Sequence, residues 1–464
     1  MNEFKNVYFL GIGGIGMSAI ARYFIHEGYA VAGYDRTATP LTRELEREGA
    51  LVHYEDDPEL IPESMRSPEH TLVVLTPAIP ADHREWAWLR EGGFMIEKRS
   101  EMLGILSKGK LTMAVAGTHG KTTTSTLAAW LNHAASHEGN AFLGGISRNF
   151  NSNLILGEGR RLVVEADEYD RSFLRLHPNI AVITAVDADH LDIYGTVEAV
   201  VEAFEQFASQ IESGGALILK KGVDLKFDDT KRKLYRYSCD DGGDFHAENI
   251  RLMEGGHYLY DIVLPDGRIE DCELGILGKV HIENSVAAVA MLWCTAVAEN
   301  KPFDKEAVRG ALRSFEGVKR RMEVYVNTPE QVYIDDYAHH PEELRATIES
   351  LRGIFPDRKI LAVFQPHLYT RTQDLAPEFA EALSLADEVL LVPIYPAREL
   401  PIEGVCSEMI GRMLTVEWSM VEREELAARL ETMPTDVVVT FGAGNIDVCC
   451  NAVAEVIRKK CSEK

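Results

Sequence analysis

Short apolar runs alternate with helix-spaced segments along most of this 464-residue chain. Near the start, NVYFLGI, YAVAGYD and HTLVVLT are apolar on both faces and too short for buried helices. Runs of this kind predict parallel strands covered on both sides. SAIARYFIHEG and LTRELEREGA lie between them with helical spacing, and each closes on a glycine, the residue that tolerates a left-handed C-terminal position. The pattern predicts a doubly wound α/β unit over residues 1–106, with the polar SKGK at 107–110 as a linker.

The alternation resumes with LTMAVAG, RLVVEAD, NIAVITAV and GALILK. From about 226 to 275 the texture changes to short strands such as GHYLYDIVL, separated by EGG and PDG turns, as in a hairpin-rich insert. A long apolar helix, ENSVAAVAMLWCTAVAE, follows. After FEGVKRRMEV a third set of runs, VYIDDY, KILAVFQP, EVLLVPI and DVVVTFG, predicts another parallel sheet. The expectation is α/β with three domains: a Rossmann-like N-terminal domain (1–106), a central P-loop ATPase-like α/β domain (107–318) and a C-terminal Rossmann-like α/β domain (319–464).

Composition changes this picture little: 46% hydrophobic and 26% charged residues are ordinary for a globular protein. The longest apolar stretch, VAAVAMLWCTAVA, stops at Glu299, short of the roughly 18 residues a membrane span needs. MNEFKN has no basic segment leading into an apolar core, so the expectation is a cytoplasmic protein without stable membrane association. The net charge of −25 disfavours nucleic acid as a partner and requires any anionic ligand to be held by local cations and amide donors. Seven cysteines, odd in number and without a CxxC pair, read as reduced thiols.

Two glycine loops carry the chemistry. VYFLGIGGIGMSAIA places Gly11, Gly13, Gly14 and Gly16 between a strand and a helix, with Asp35 about 20 residues on, where a ribose-binding carboxylate would sit. Taken alone, these glycines serve a nucleotide or merely allow tight strand–helix packing. GTHGKTTT is more specific. Gly117 and Gly120 let amides converge on phosphate, Lys121 supplies a point charge and Thr122 a hydroxyl for Mg2+. The longer form of this loop has glycine where Val115 stands, so the loop is a shortened variant of an ATP site.

Such a site also needs carboxylates. LVVEADEYD offers Glu165, Asp167, Glu168 and Asp170 at a strand end, and DADHLDIYG adds His190 after the next strand of the same unit. In the third domain, DDYAHHPEE presents Asp336, Tyr337, His339 and His340. QPHLYTRT presents His367, Tyr369 and Arg371. These strand-end groups either hold a carboxylate or phosphate, with Arg371 as a bidentate clamp, or act as helix caps and surface polar residues.

The ordered set GIGGIGMSAIA, GTHGKTTT, EADEYD, DADHLDIYG, FEGVKRR, DDYAHHP, QPHLYTRT and FGAGNI resembles the Mur ligases, from the first strand to near the C-terminus. The resemblance implies an ATP-dependent amide ligase that joins L-alanine to the lactyl carboxylate of UDP-N-acetylmuramate through an acyl phosphate, with ATP and Mg2+ required. It assigns the first loop and Asp35 to the UDP moiety, and residues Gly117, Thr118, His119, Gly120, Lys121, Thr122 and Thr123 to ATP. Lys121 would contact the transferred phosphoryl group. Thr122 and Glu165 match one Mg2+ site, and Glu165 and His190 a second. His281, Asn284, Arg320 and Asp336 fall to the nucleotide, while Tyr337, His339, His367 and Arg371 fall to the alanine and acyl-phosphate region. A homodimer is compatible with this reading.

The chain departs from the family pattern at several points. KVHIENSVAAVA has Val280 and His281 where the adenine-contact motif has histidine and asparagine, and Asn284 alone matches. Leu368 replaces an arginine, and Ala185 stands where asparagine is common. Residues 191–213 lack the lysine that sister ligases carbamoylate. The rival readings are a related ligase attaching a preformed peptide, a dehydrogenase fused to a kinase, and an ATP-dependent switch without catalysis.

Overall fold

The computed structural model describes residues 4–136, 139–187, 191–228, 230–397 and 399–462. The first sheet has the order β3-β2-β1-β4-β5, all parallel. Its strands are β1 (Asn6–Leu10), β2 (Ala30–Tyr34), β3 (Leu51–His53), β4 (Thr71–Leu75) and β5 (Met95–Lys98), interleaved with α1 (Ile15–His26), α2 (Pro40–Glu48), α3 (Arg84–Glu91) and α4 (Arg99–Ser107). Every residue of β1 and β4 is buried, as their unbroken apolar runs predict. Helix α2 starts on a Thr39–Thr42 capping box with Pro40 at its first position and ends on Gly49 in the left-handed conformation.

The second sheet is larger. It contains β6 (Leu111–Ala116), β7 (Asn140–Ser147), β8 (Ser152–Ile155), β9 (Arg161–Glu165), β10 (Ile180–Ile183), β11 (Ala216–Lys220) and β12 (Lys233–Tyr237), ordered β12-β11-β10-β6-β9-β7-β8. Helices α5 (Lys121–Ser136), α6 (Leu191–Tyr194) and α7 (Val197–Ser209) connect its strands. Strand β8 pairs antiparallel with β7, a hairpin that the sequence pattern does not announce.

A three-stranded sheet of β13 (His246–Leu252), β14 (Tyr258–Leu264) and β15 (Gly267–Glu273) forms the expected hairpin-rich insert. It leads into α8 (Val280–Ala298) and α9 (Lys305–Arg313). Helix α8 is long and apolar enough to cross a membrane by length and composition, but 83% of its most apolar window is buried within the protein. It is a core helix.

The last sheet has the order β16-β17-β21-β18-β19-β20, with only β16 antiparallel. Its strands are β16 (Glu323–Asn327), β17 (Val332–Asp336), β18 (Ile360–Phe364), β19 (Glu388–Leu391), β20 (Glu417–Met420) and β21 (Val437–Phe441). The helices are α10 (Pro341–Ile354), α11 (Tyr369–Leu383), α12 (Glu408–Gly411), α13 (Leu426–Thr432) and α14 (Cys450–Ser462). One apolar cluster packs on α10 and α11, and another on α13 and α14, so both faces are covered.

The chain folds as two compact units: residues 1–247, 262–269 and 284–312 form the first, and 248–261, 270–283 and 313–464 the second. The first two sheets share one unit and one core. Phe9 and Phe24 of the first sheet's layer join Phe142 and Leu154 of the β7–β8 hairpin in a single cluster, and Tyr23 lies 5.9 Å from Phe142, ring to ring. Buried Arg22 adds polar links: 2.9 Å to Glu48, 3.0 Å to Glu44 and 2.6 Å to Asn153 of β8.

The other face of the first sheet buries a titratable cluster. Tyr8 donates to Glu85 Oε2 at 2.5 Å, and its oxygen lies 2.8 Å from His53 Nε2. Glu85 is fully buried, and burial pushes its carboxyl up to about 7 despite that hydrogen bond. A folded-state value above the unfolded 4.5 means that the native protein binds the extra proton. Its stabilisation is present below about pH 4.5 and is lost as pH rises through about 7. Glu85→Gln should remove this dependence. Between pH 5 and 8 the wild type is expected to lose up to about 3 kcal/mol relative to the variant, measured by denaturant unfolding. Parallel curves for the two proteins would show that Glu85 is ionised throughout.

Candidate functional site

In the first unit, β1 feeds the loop 11–14 into the start of α1. Gly14 occupies the N-cap with no side-chain hydrogen bond, which leaves the opening amides of α1 to an anion. Asp35, at the end of β2, accepts from the Gly13 amide at 2.8 Å and from the Thr37 amide at 3.3 Å. The carboxylate expected to meet a ribose therefore also fixes the glycine loop.

The second loop links β6 to α5 beside the end of β10, the parallel neighbour of β6. Gly117 has φ +134°, and a Cβ there would stand 2.1 Å from Thr184 Oγ1, so both the conformation and the close approach require glycine. Thr118 is held by Asp187 (3.1 Å) and by the Ala185 carbonyl (3.1 Å). His119 Nε2 lies 3.5 Å from the same Asp187 carboxylate. Lys121 curls back over the loop, 2.7 Å from the Gly117 carbonyl and 2.8 Å from Glu168.

Glu168 is almost fully buried, and burial raises its pKa while the Lys121 ammonium opposes the rise. The partner of the loop lysine is thus one specific member of the acidic EADEYD stretch. Thr123 follows Thr122 in the first turn of α5 and is buried there.

Glu165, at the end of β9, is the hub of the neighbouring oxygen cluster. Thr122 donates to it at 3.1 Å, Ser125 at 3.3 Å and the Gly144 amide at 3.2 Å. The Thr122–Glu165 pair is the expected one. Ser125 and Gly144 were not anticipated, although Ser125 stands three residues after Thr122, on the same helix face. His190 lies outside the described residues. Asn284 of α8 reaches this loop: its Oδ1 is 3.1 Å from the Cβ position of Gly120. His281, also on α8, is buried, and burial lowers its pKa to about 4, so it is a neutral ring.

In the second unit, the strand ends of β17, β21 and β18 lie side by side at the point where strand order reverses, the usual place for a ligand crevice in an open α/β sheet. Buried Asp336 accepts from the Met322 and Ala338 amides, both at 2.8 Å, and burial lifts its carboxyl to about 6. Arg320 spends its guanidinium internally: Nε is 3.1 Å from Asp335, and the terminal nitrogens donate to the Gly444 (3.0 Å) and Gly442 carbonyls. Arg320 therefore ties the FGAGNI turn to β17. Arg321, the last residue of the FEGVKRR motif, stands over the Tyr337 ring at 5.4 Å.

His339 packs edge-on against Tyr337 and faces His367 at 6.2 Å between ring centres. Its Nδ1 contacts the Tyr337 carbonyl (3.1 Å), with Glu343 3.3 Å away. His367 stacks on Tyr395, and its Nδ1 lies 3.4 Å from Arg371 Nη1. Burial, followed by the Arg371 cation, pushes His367 down to about 4, so the neutral ring accepts from the guanidinium. Arg371 makes no ion pair among the described residues. Leu368, where arginine was expected, has φ +73° and accepts from Thr372 through its carbonyl at the start of α11.

Three family profiles match the chain in order. "Mur ligase family, catalytic domain" covers residues 6–111, "Mur ligase middle domain" 115–292 and "Mur ligase, glutamate ligase domain" 320–444. A UDP-N-acetylmuramate–L-alanine ligase of Phocaeicola vulgatus is 49% identical over 99% of this chain and 100% of its own. A Flavobacterium johnsoniae protein of the same name is 44% identical over 99% of both. The crystal structure of a UDP-N-acetylmuramate–alanine ligase from Thermotoga maritima superposes with a TM-score of 0.80 at 27% identity, covering 99% of this chain and 100% of that one. A murein peptide ligase from Psychrobacter arcticus shares the fold, with a TM-score of 0.68 at 21% identity over 98% of each chain. Three successive domain matches and a relative 49% identical along nearly its whole length show that the chain, with its two glycine loops and the carboxylate hub beside one of them, belongs to the Mur ligase family.

Proposed function

We infer that this protein joins L-alanine to the lactyl carboxylate of UDP-N-acetylmuramate, converting ATP to ADP and phosphate in peptidoglycan precursor synthesis. The carrying observation is the pair of phosphate loops. One has lysine, threonine and carboxylate partners suited to a triphosphate. The other has open amides and no lysine, which suits a diphosphate that is bound but not broken. Near-full-length relatives with this activity support the same reading.

A carboxylate is a poor electrophile and must first gain a leaving group. Its oxygen attacks the γ-phosphorus of ATP, an O–P bond forms, and the bond from that phosphorus to the β-phosphate oxygen breaks, releasing ADP. The alanine amine then attacks the acyl carbon. A C–N bond forms, the C–O bond to phosphate breaks and the amine proton is lost. Lys121, whose Nζ donates to the Gly117 carbonyl of the loop at 2.7 Å, is placed to follow the charge of the moving phosphoryl group.

Thr122 and Glu165, 3.1 Å apart, form an all-oxygen donor pair that fits Mg2+; His190 is the further ligand we propose. When bound, Mg2+ offsets phosphate charge. Arg371 and Arg321 supply the cations for the carboxylate and acyl-phosphate groups, with Tyr337 and His339 beside them. Neutral His367 orients Arg371 rather than competing with it. A nucleotide-fed reaction and a buried α8 suit a cytoplasmic enzyme.

Lys121→Ala should lower ligation by about 100-fold or more while leaving UDP-sugar affinity within about threefold, read by phosphate release and calorimetry. Loss of UDP-sugar binding in the folded variant would contradict the division of labour between the loops. Glu165→Gln should raise the Mg2+ concentration for half-maximal rate by about tenfold; an unchanged Mg2+ profile would reduce Glu165 to a structural role. With UDP-N-acetylmuramate and ATP, mass spectrometry should find the L-alanine adduct. Exclusive use of a preformed L-alanyl peptide would favour the peptide-attaching relative instead.

A further inference from the structure

Arg99 opens α4, far along the chain from the first glycine loop, yet its side chain lies on that loop. A Cβ built at Gly16 would meet Arg99 Nη1 at 2.5 Å and Cδ at 3.1 Å. The guanidinium therefore lies across the first turn of α1, and Gly16 is what makes room for it. Its other side faces the second sheet: Nη2 is 3.0 Å from Asp167 Oδ2, just after β9. Asp167 sits between Glu165 and Glu168, the two carboxylates that serve Thr122 and Lys121. Next to it, Lys98 lies 3.8 Å from Asp170, so two ion pairs run in parallel between the same segments. Arg99 and Asp167 remain about 26% and 34% exposed, so a ligand can reach them and water weakens their pairing.

We propose that Arg99 is the diphosphate clamp of the first loop and that Asp167 is its placeholder. This rests on reading that loop as the site of a uridine diphosphate group. In a chain with a net charge of −25 the anion gains nothing from the overall field. Amides at the start of α1 address one side of it, and a planar guanidinium offers paired donors on the other. Phosphate oxygens, which take two parallel hydrogen bonds from arginine, replace the Asp167 carboxylate when the nucleotide binds. Asp167 is then released beside the carboxylates of the ATP loop, so the two loops share a switchable contact.

The test measures binding of UDP and of uridine to the full-length protein by calorimetry, without ATP. Arg99→Ala should weaken UDP about tenfold or more while uridine affinity stays within twofold. Arg99→Lys should recover only part of the loss, because lysine cannot donate in pairs. Asp167→Asn should tighten UDP about threefold by removing the competing charge. Equal UDP affinity in wild type and Arg99→Ala would overturn the clamp, and weaker UDP binding in Asp167→Asn would overturn the placeholder. A wild-type protein that binds no UDP at all would instead overturn the reading of the loop itself.

Discussion

A protein with a net charge of −25 that gathers phosphates and carboxylates has to build each anion site from local parts. Everything placed around the two glycine loops answers that constraint. Helix-opening amides at α1 and α5 give partial positive charge without a titratable group. Lys121 is kept between its own loop carbonyl and Glu168, so the cation is already oriented rather than drawn from solvent. Arg320, by contrast, is consumed by Asp335 and two glycine carbonyls and acts on the FGAGNI turn. Arg321 and Arg371, which make no ion pair among the described residues, stand near the strand ends of the last sheet.

The first loop depends on the second sheet for its shape. Buried Asn153 of β8 donates to Ser18 at 3.0 Å and also to the Ile15 carbonyl, both in the first turn of α1. The same Asn153 accepts from Arg22, which is bound to Glu44 and Glu48 of α2. An interior as tightly packed as this transmits displacement instead of absorbing it. The shared apolar cluster of Phe9, Phe24 and Phe142 makes the glycine loop and the β7–β8 hairpin parts of a single body.

The departures from the family pattern acquire a physical meaning in the fold. Leu368 adopts φ +73°, a conformation costing a branched residue about 1–3 kcal/mol, while its amide bonds to Tyr395 and its carbonyl to Thr372. That turn delivers Arg371 to His367 without help from a second arginine. His281 is a buried neutral ring on α8, while Asn284 on the same helix approaches Gly120 of the second loop.

Strands, most helices and both glycine loops were legible in the sequence because their signals are local: an apolar run, a 3.6-residue period, a glycine where the backbone must turn. The short strands β3 and β5 and the β7–β8 hairpin were not, since LVH and MIEK carry too few residues for a pattern and AFLGGIS is interrupted by glycines. EADEYD announced carboxylates, but not which one meets the lysine. The turn through Asp170 and Arg171, two successive residues at φ 52° and 54°, belongs to the fold around that choice.

The insertion of β21 between β17 and β18 is likewise invisible to any local pattern. By itself the sequence determined which residue types stand at which strand ends. The tertiary structure decided their partners: Lys121 with Glu168 across 47 positions, and Arg99 with Asp167 across 68. The reason is physical: pairing at such separations is set by how sheets order and pack, and residue spacing along the chain carries no record of that.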